Sequence, residues 1–140
     1  PGRFQVFKAG SIDCVIDGAH NPAGIDTFCK TYEDVFGSRK RVFLFSVLAD
    51  KDYSQMVQEL FHADDYAVCA PAPTPRSADP KEMAKILPCK ADWADSIAAG
   101  LDKALAAVKP DQVLCIVGSL YIQGEVREYF REHRVGDSLS

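Results

Sequence analysis

Asp17-Gly-Ala-His-Asn-Pro22, entered directly from the apolar run Cys14-Val-Ile16, decides how the rest of the chain is read. The apolar run carries two β-branched residues, as a strand covered on both faces does. Gly18 allows a sharp turn. Asn21 before Pro22 fits a helix N-cap followed by the first helical position, where proline gives up no useful N–H. An acid, an imidazole and an amide therefore sit at the mouth of a helix, whose free N–H groups and dipole favour anions. The spacing describes a polar strand-to-helix elbow and names no ligand.

Outward from this elbow, strand and helix patterns alternate. Arg3 to Phe7 reads as a short strand, followed by a turn at Ala9-Gly-Ser11. Between Pro22 and Phe36, Ile25, Phe28, Cys29, Tyr32, Val35 and Phe36 fall at helical spacing, and Gly37 stops the helix. Val42-Phe-Leu-Phe-Ser-Val-Leu48 predicts a central parallel strand. After the loop Ala49-Asp-Lys-Asp52, Tyr53, Met56, Val57, Leu60 and Phe61 form a second helical stripe. Tyr66 to Ala70 is a third buried strand. Pro71-Ala-Pro-Thr-Pro-Arg-Ser77 excludes regular structure. Asp79-Pro80 opens a short helix bearing Met83, Ile86 and Leu87, closed by Pro88. Asp95 to Val108 is helical, Val113 to Val117 is another strand, and Tyr121 to His133 is a last helix with a frayed tail from Val135.

This order predicts an α/β fold: a Rossmann-like, mostly parallel sheet of five to six strands with helices on both faces. Right-handed crossovers place every strand-to-helix loop at one sheet edge, where ligands bind in such folds. Four loops share that edge: Asp17–Pro22, Ala49–Asp52, Pro71–Ser77 and Gly118–Tyr121. No Gly-x-Gly-x-x-Gly and no phosphate-cradling Gly-x-x-x-x-Gly-Lys-Ser/Thr occurs.

The 140 residues suffice for one domain, with 47% apolar and 26% charged residues arguing against disorder. A formal charge of -4 excludes a general nucleic-acid binder. No run is long and apolar enough for a membrane span, and no signal-peptide pattern opens the chain. Cys14, Cys29, Cys69, Cys89 and Cys115 are scattered without a Cys-x-x-Cys pair. Buried free thiols in a reducing cytoplasm account for them better than zinc or disulfides. The start at Pro1-Gly-Arg, without Met, reads as a domain cut from a longer protein.

Asp17-Gly-Ala-His-Asn-Pro22 resembles the signature of folylpolyglutamate synthase and dihydrofolate synthase, in the Mur ligase superfamily. Pro1-Gly-Arg-Phe-Gln5, Leu48-Ala-Asp-Lys-Asp52 and Gly118-Ser-Leu-Tyr121 resemble other stretches of that family's C-terminal domain, in the same order. The resemblance implies that residues 1–140 are one glutamate ligase domain and that an N-terminal ATP-binding P-loop domain lies elsewhere in the protein. It implies an acyl phosphate made from ATP and a substrate carboxylate, attacked by the amine of L-glutamate, with folate or dihydropteroate as acceptor. Such a step needs charge neutralisation and orientation rather than a protein nucleophile.

On the same resemblance, Arg3, Asp17 and Asn21 belong to nucleotide binding. His20 and Ser119 take catalytic and glutamate-binding places. Tyr121, Lys51 and Arg76 are further substrate-binding candidates, the last two for the glutamate carboxylate. ATP and Mg²⁺ belong to the full-length enzyme, with no metal held by this domain alone. The expected partners are the two substrates and the preceding ATPase domain, in a cytoplasmic monomer without nucleic acid or membrane, and the isolated domain is expected to be inactive. The alternatives are another Mur-type ligase, for a peptidoglycan precursor or cyanophycin, and a stand-alone flavodoxin-like binding module. His62 and His133 receive no function.

Overall fold

Gly10 takes a positive φ of 62°, and with Ser11 it reverses the chain in a two-residue turn. The turn joins β1 (Gln5–Ala9) to β2 (Ile12–Asp17) as an antiparallel hairpin, with Ala9 opposite Ile12 and Gln5 opposite Ile16. This computed structural model describes residues 3–49 and 53–133. Lys51 and the tail from Val135 lie outside the described residues.

After β2 come α1 (Pro22–Phe36), β3 (Arg41–Phe45), α2 (Tyr53–Leu60), β4 (Tyr66–Cys69), α3 (Pro80–Ile86), β5 (Lys90–Trp93), α4 (Ile97–Ala107) and β6 (Val113–Val117). A single 3-10 turn, Leu120–Ile122, leads into α5 (Gln123–His133). The strands form one sheet in the order β1-β2-β6-β3-β4-β5, in which only the β1–β2 pair is antiparallel.

Strand periodicity sorts the core into two layers. Val15, Phe43, Phe45, Cys69 and Cys115 face Ile25, Phe28, Met56, Leu60 and Met83 of α1, α2 and α3. Ile16, Leu44, Val68, Leu114 and Ile116 face Leu101, Ala104, Val126 and Phe130 of α4 and α5. Burial raises the Cys14 and Cys69 thiols to about 12, and all five cysteines are free. Among the described residues, no helix is long and apolar enough to cross a membrane.

The first strand, the run Val42–Leu48 and an added edge strand depart most from the sequence expectation. The first strand is Gln5–Ala9 rather than Arg3–Phe7, because Phe4 turns through a positive φ of 38°. The apolar run Val42–Leu48 leaves the ladder at Phe45, and its end pairs with the proline-rich loop instead. There Leu48 bridges Ser77, Ala78 N–H donates to the Val47 carbonyl (3.0 Å) and Ala49 N–H to the Arg76 carbonyl (2.7 Å). β5 was absent from the expected strands. It is four residues long, sits at the sheet edge and buries none of them fully, so it carries no apolar run.

The chain leaves β2 through α1 toward β3 and returns from β5 through α4 to insert β6 between β2 and β3. α1 then covers one face and α5 the other. The loops after neighbouring β2 and β6 diverge toward opposite faces, leaving a crevice at the carboxyl ends of the strands.

Candidate functional site

The β2 end of the crevice is built by its own polar side chains. Asp17 is only 7% exposed. Its Oδ1 accepts from Ala19 N–H (2.8 Å) and its Oδ2 from Phe4 N–H (3.2 Å). Burial holds the carboxyl above its ordinary value, although both N–H groups and the Arg3 charge pull it down. Asn21 caps α1, its Oδ1 accepting from Gly24 N–H (2.8 Å), and Pro22 follows at the first helical position. His20 Nδ1 lies 2.8 Å from the Gly18 carbonyl. A carbonyl only accepts, so Nδ1 carries the proton, and in the neutral ring Nε2 keeps its lone pair.

The β6 end begins at Gly118, whose φ of 124° carries the chain out of the sheet. Ser119, 3% exposed, caps the 3-10 turn, its Oγ accepting from Tyr121 N–H (3.1 Å). Leu120 and Tyr121 stand exposed beside it, at 55% and 56%.

Two hollows open here. One, of about 390 Å³, is lined by Arg3, Asp17, His20, Asn21, Thr27 and Leu120, among others. The second, of about 500 Å³, is lined by His20, Leu48, Arg76, Gly118, Ser119, Leu120 and Tyr121. His20 and Leu120 belong to both. The structure thus gathers Arg3, Asp17, His20, Asn21, Arg76, Ser119 and Tyr121 on one rim, in two adjoining groups. Lys51 lies outside the described residues.

The chemistry of the two hollows differs. The first offers the Arg3 guanidinium and the start of a fifteen-residue helix, a setting for an anion. Its one carboxylate has both oxygens engaged by backbone N–H groups. The second mixes a cation, a hydroxyl, an imidazole and apolar walls, a setting for a small zwitterion.

Sequence reasoning passed over two contributors. Leu120 forms the partition between the hollows; its signal was an apolar residue between two polar candidates in Gly118-Ser-Leu-Tyr121. The Phe4 N–H, which engages Asp17, left no signal in the sequence.

A third hollow, lined by Arg39, Lys40, Arg41, His62, Asp64 and Asp65 among others, lies at the opposite edge of the sheet. Its charges answer one another. Asp65 takes two hydrogen bonds from Arg41 and one from His62 N–H, and Lys40 stands 3.8 Å from Asp64. Burial alone would weaken the Arg41 charge, but Asp65 outweighs it and holds the guanidinium charged.

Residues 2–120 match the family described as Mur ligase, glutamate ligase domain. The chain is 35% identical over 131 residues to folylpolyglutamate synthase of Lacticaseibacillus casei, covering 91% of this chain and 29% of that protein. Among solved structures it resembles E. coli FolC in complex with DHPP and ADP, with a TM-score of 0.85 and 27% identity over 96% of this chain and 32% of that one. It also resembles a bifunctional folylpolyglutamate synthase/dihydrofolate synthase with Mn, AMPPNP and L-glutamate bound. There the TM-score is 0.83 and the identity 25%, over 94% of this chain and 32% of the other. The chain therefore spans about a third of the length of these three relatives.

Proposed function

We propose a function on an established premise: this chain belongs to the Mur ligase family, as its glutamate ligase domain. The proposal is that it forms part of an ATP-dependent amide ligase that adds L-glutamate to folate, and to dihydropteroate in a bifunctional enzyme. One observation carries it. Two hollows adjoin at His20 in the crevice between the loops after β2 and β6, one lined by the Arg3 guanidinium and the start of α1, the other by Arg76, Ser119 and Tyr121. A ligase of this kind must bring a phosphoryl donor and an amine to one carboxylate, and two sites sharing a wall do that.

In this reading Arg3 meets phosphate oxygens of ATP at the mouth of α1, with Asn21 and Asp17 forming the wall around them. Ser119, Arg76 and Tyr121 hold L-glutamate in the second hollow, Arg76 facing a carboxylate, with Lys51 in the adjoining loop as a further candidate. His20 stands between them and takes a proton from the attacking amine through Nε2. The amine then attacks the acyl phosphate, the carbon–nitrogen bond forms and phosphate leaves. In the whole enzyme, closure of the preceding domain over this crevice would keep water from the labile intermediate. Magnesium would help to neutralise phosphate charge. The one carboxylate of the first hollow has both oxygens engaged by backbone N–H groups, so that hollow offers the ion no free carboxylate.

The remaining two thirds of the relatives' length is where the phosphate-cradling loop and the metal ligands belong in this reading. The enzyme works as a monomer in the cytoplasm, where five free thiols stay reduced.

The test is glutamate-dependent ADP release by the full-length protein with a folate acceptor. Arg3→Ala should raise KM for ATP, and Ser119→Ala should raise KM for glutamate, each by about tenfold. His20→Ala should lower kcat by about a hundredfold. This chain alone should show no turnover. Activity with a muramoyl-peptide acceptor and none with folate would move the protein to another branch of the family.

A further inference from the structure

The loop after β4, Pro71-Ala-Pro-Thr-Pro-Arg-Ser77, carries three prolines, which bring no backbone N–H and fix φ. Its remaining N–H groups are all engaged. Ala72 N–H donates to Ser77 Oγ (2.9 Å) and Thr74 N–H to the Ala72 carbonyl (2.8 Å). Arg76 N–H donates to Thr74 Oγ1 (3.3 Å) and Ser77 N–H to the Thr74 carbonyl (3.0 Å). A surface loop needs no such closure, because water satisfies its backbone groups. A loop closed on itself in this way has little conformational freedom left to lose when a ligand binds.

What the loop presents is Arg76, exposed at the wall of the hollow that also holds Ser119 and Tyr121. The Arg76 carbonyl accepts from Ala49 N–H (2.7 Å), and Ala78 N–H donates to the Val47 carbonyl (3.0 Å). With the Leu48–Ser77 bridge, these bonds fasten the loop antiparallel to the segment leaving β3. Ser77 is the side chain that closes the arrangement. Its Oγ takes the Ala72 N–H across five residues and donates to the Ala78 carbonyl (2.9 Å), so one hydroxyl holds both ends of the loop. Ala72 is 5% exposed, which leaves its N–H little access to water as a replacement. Ser77 itself stands behind Arg76 and is not part of the lining of the hollow.

We infer that Ser77 is a positioning residue: it closes the proline-rich loop and so aims Arg76 at a carboxylate of the incoming amino acid, acting on that ligand through Arg76 without touching it. This rests on the reading of the second hollow as the glutamate site, proposed above. A long arginine side chain loses rotamer freedom when it grips a carboxylate. A fixed backbone beneath it confines that loss to the side chain, and the hydroxyl of Ser77 supplies the last tie of that backbone.

A double-mutant cycle on KM for glutamate in the full-length protein, with ATP and a folate acceptor saturating, separates the alternatives. Arg76→Ala should raise KM for glutamate by about thirtyfold and Ser77→Ala by about fivefold. In the Arg76→Ala background, Ser77→Ala should change KM for glutamate by less than about twofold. Ser77→Ala should leave kcat and KM for ATP within about twofold of wild type, and a rise in KM for ATP as large as that for glutamate would mean general loosening and overturn the proposal. Effects of the two substitutions that multiply would mean that Ser77 acts independently of Arg76 and overturn the positioning role. So would an unchanged KM for glutamate in Ser77→Ala beside a raised one in Arg76→Ala, with the glutamate reading left standing. An Arg76→Ala variant with unchanged KM for glutamate would overturn the reading of Arg76 in the second hollow, and the role of Ser77 with it. Where Ser77→Ala does not fold, Ser77→Cys substitutes a weaker hydrogen-bonding group of similar size. It should raise KM for glutamate by at least about twofold, only with Arg76 present, and an unchanged KM there would overturn the proposal.

Discussion

At Gly118 a Cβ atom would lie 2.2 Å from the carbonyl oxygen of Ser46, and the backbone φ of 124° is one that side chains rarely adopt. Both penalties fall on Gly118→Ala, and neither is relieved by moving a flexible group, because the obstacle is backbone. We expect this substitution to cost about 3 kcal/mol or more, seen as a lower urea midpoint, and to disturb Ser119 next to it. Wild-type stability would show that the two backbones are not packed as described. The chemistry-bearing residues here were legible because side-chain type announces them: Asp17, His20, Asn21 and Ser119 all stand in polar turns after apolar runs. The geometry that holds them was not. The Gly118 contact exists because β3 and β6 pair, and the Phe4 corner exists because Asp17 reaches back to it. Long-range contacts of that kind leave no mark on neighbouring residues.

Among the elements, α1 matters most, since its first turn forms a wall of the anion hollow. Its start rests on Asn21, whose side chain satisfies one of the free N–H groups there. Asn21→Ala should cost about 1 kcal/mol by thermal unfolding, whereas Asn21→Asp should keep the cap. An Ala variant as stable as wild type would mean that the cap contributes nothing. α1 was readable from end to end because its N-cap, apolar stripe and terminal glycine agree. β5 was not, because an edge strand needs no apolar face. The run Val42–Leu48 misled in the other direction: Val47 and Leu48 are buried, but in a loop paired with the segment after β4. Burial, which is what an apolar run reports, outlasts the strand there.

For the whole molecule, the decisive feature is the place of β6 between β2 and β3. It sends the loops after β2 and β6 toward opposite faces and opens the crevice between them. Alternating strand and helix patterns could indicate the loaded edge of the sheet, but not which two strands would become neighbours. The central claim is that nucleotide and amino acid meet at His20 within that crevice. A crystal structure of the full-length protein with AMPPNP and L-glutamate tests it most directly. The account expects nucleotide phosphate oxygens within hydrogen-bond distance of Arg3, and the glutamate amine on the His20 side of the hollow that holds Ser119. Either ligand seated instead at the opposite edge, among Arg39, Arg41 and Asp65, would contradict it.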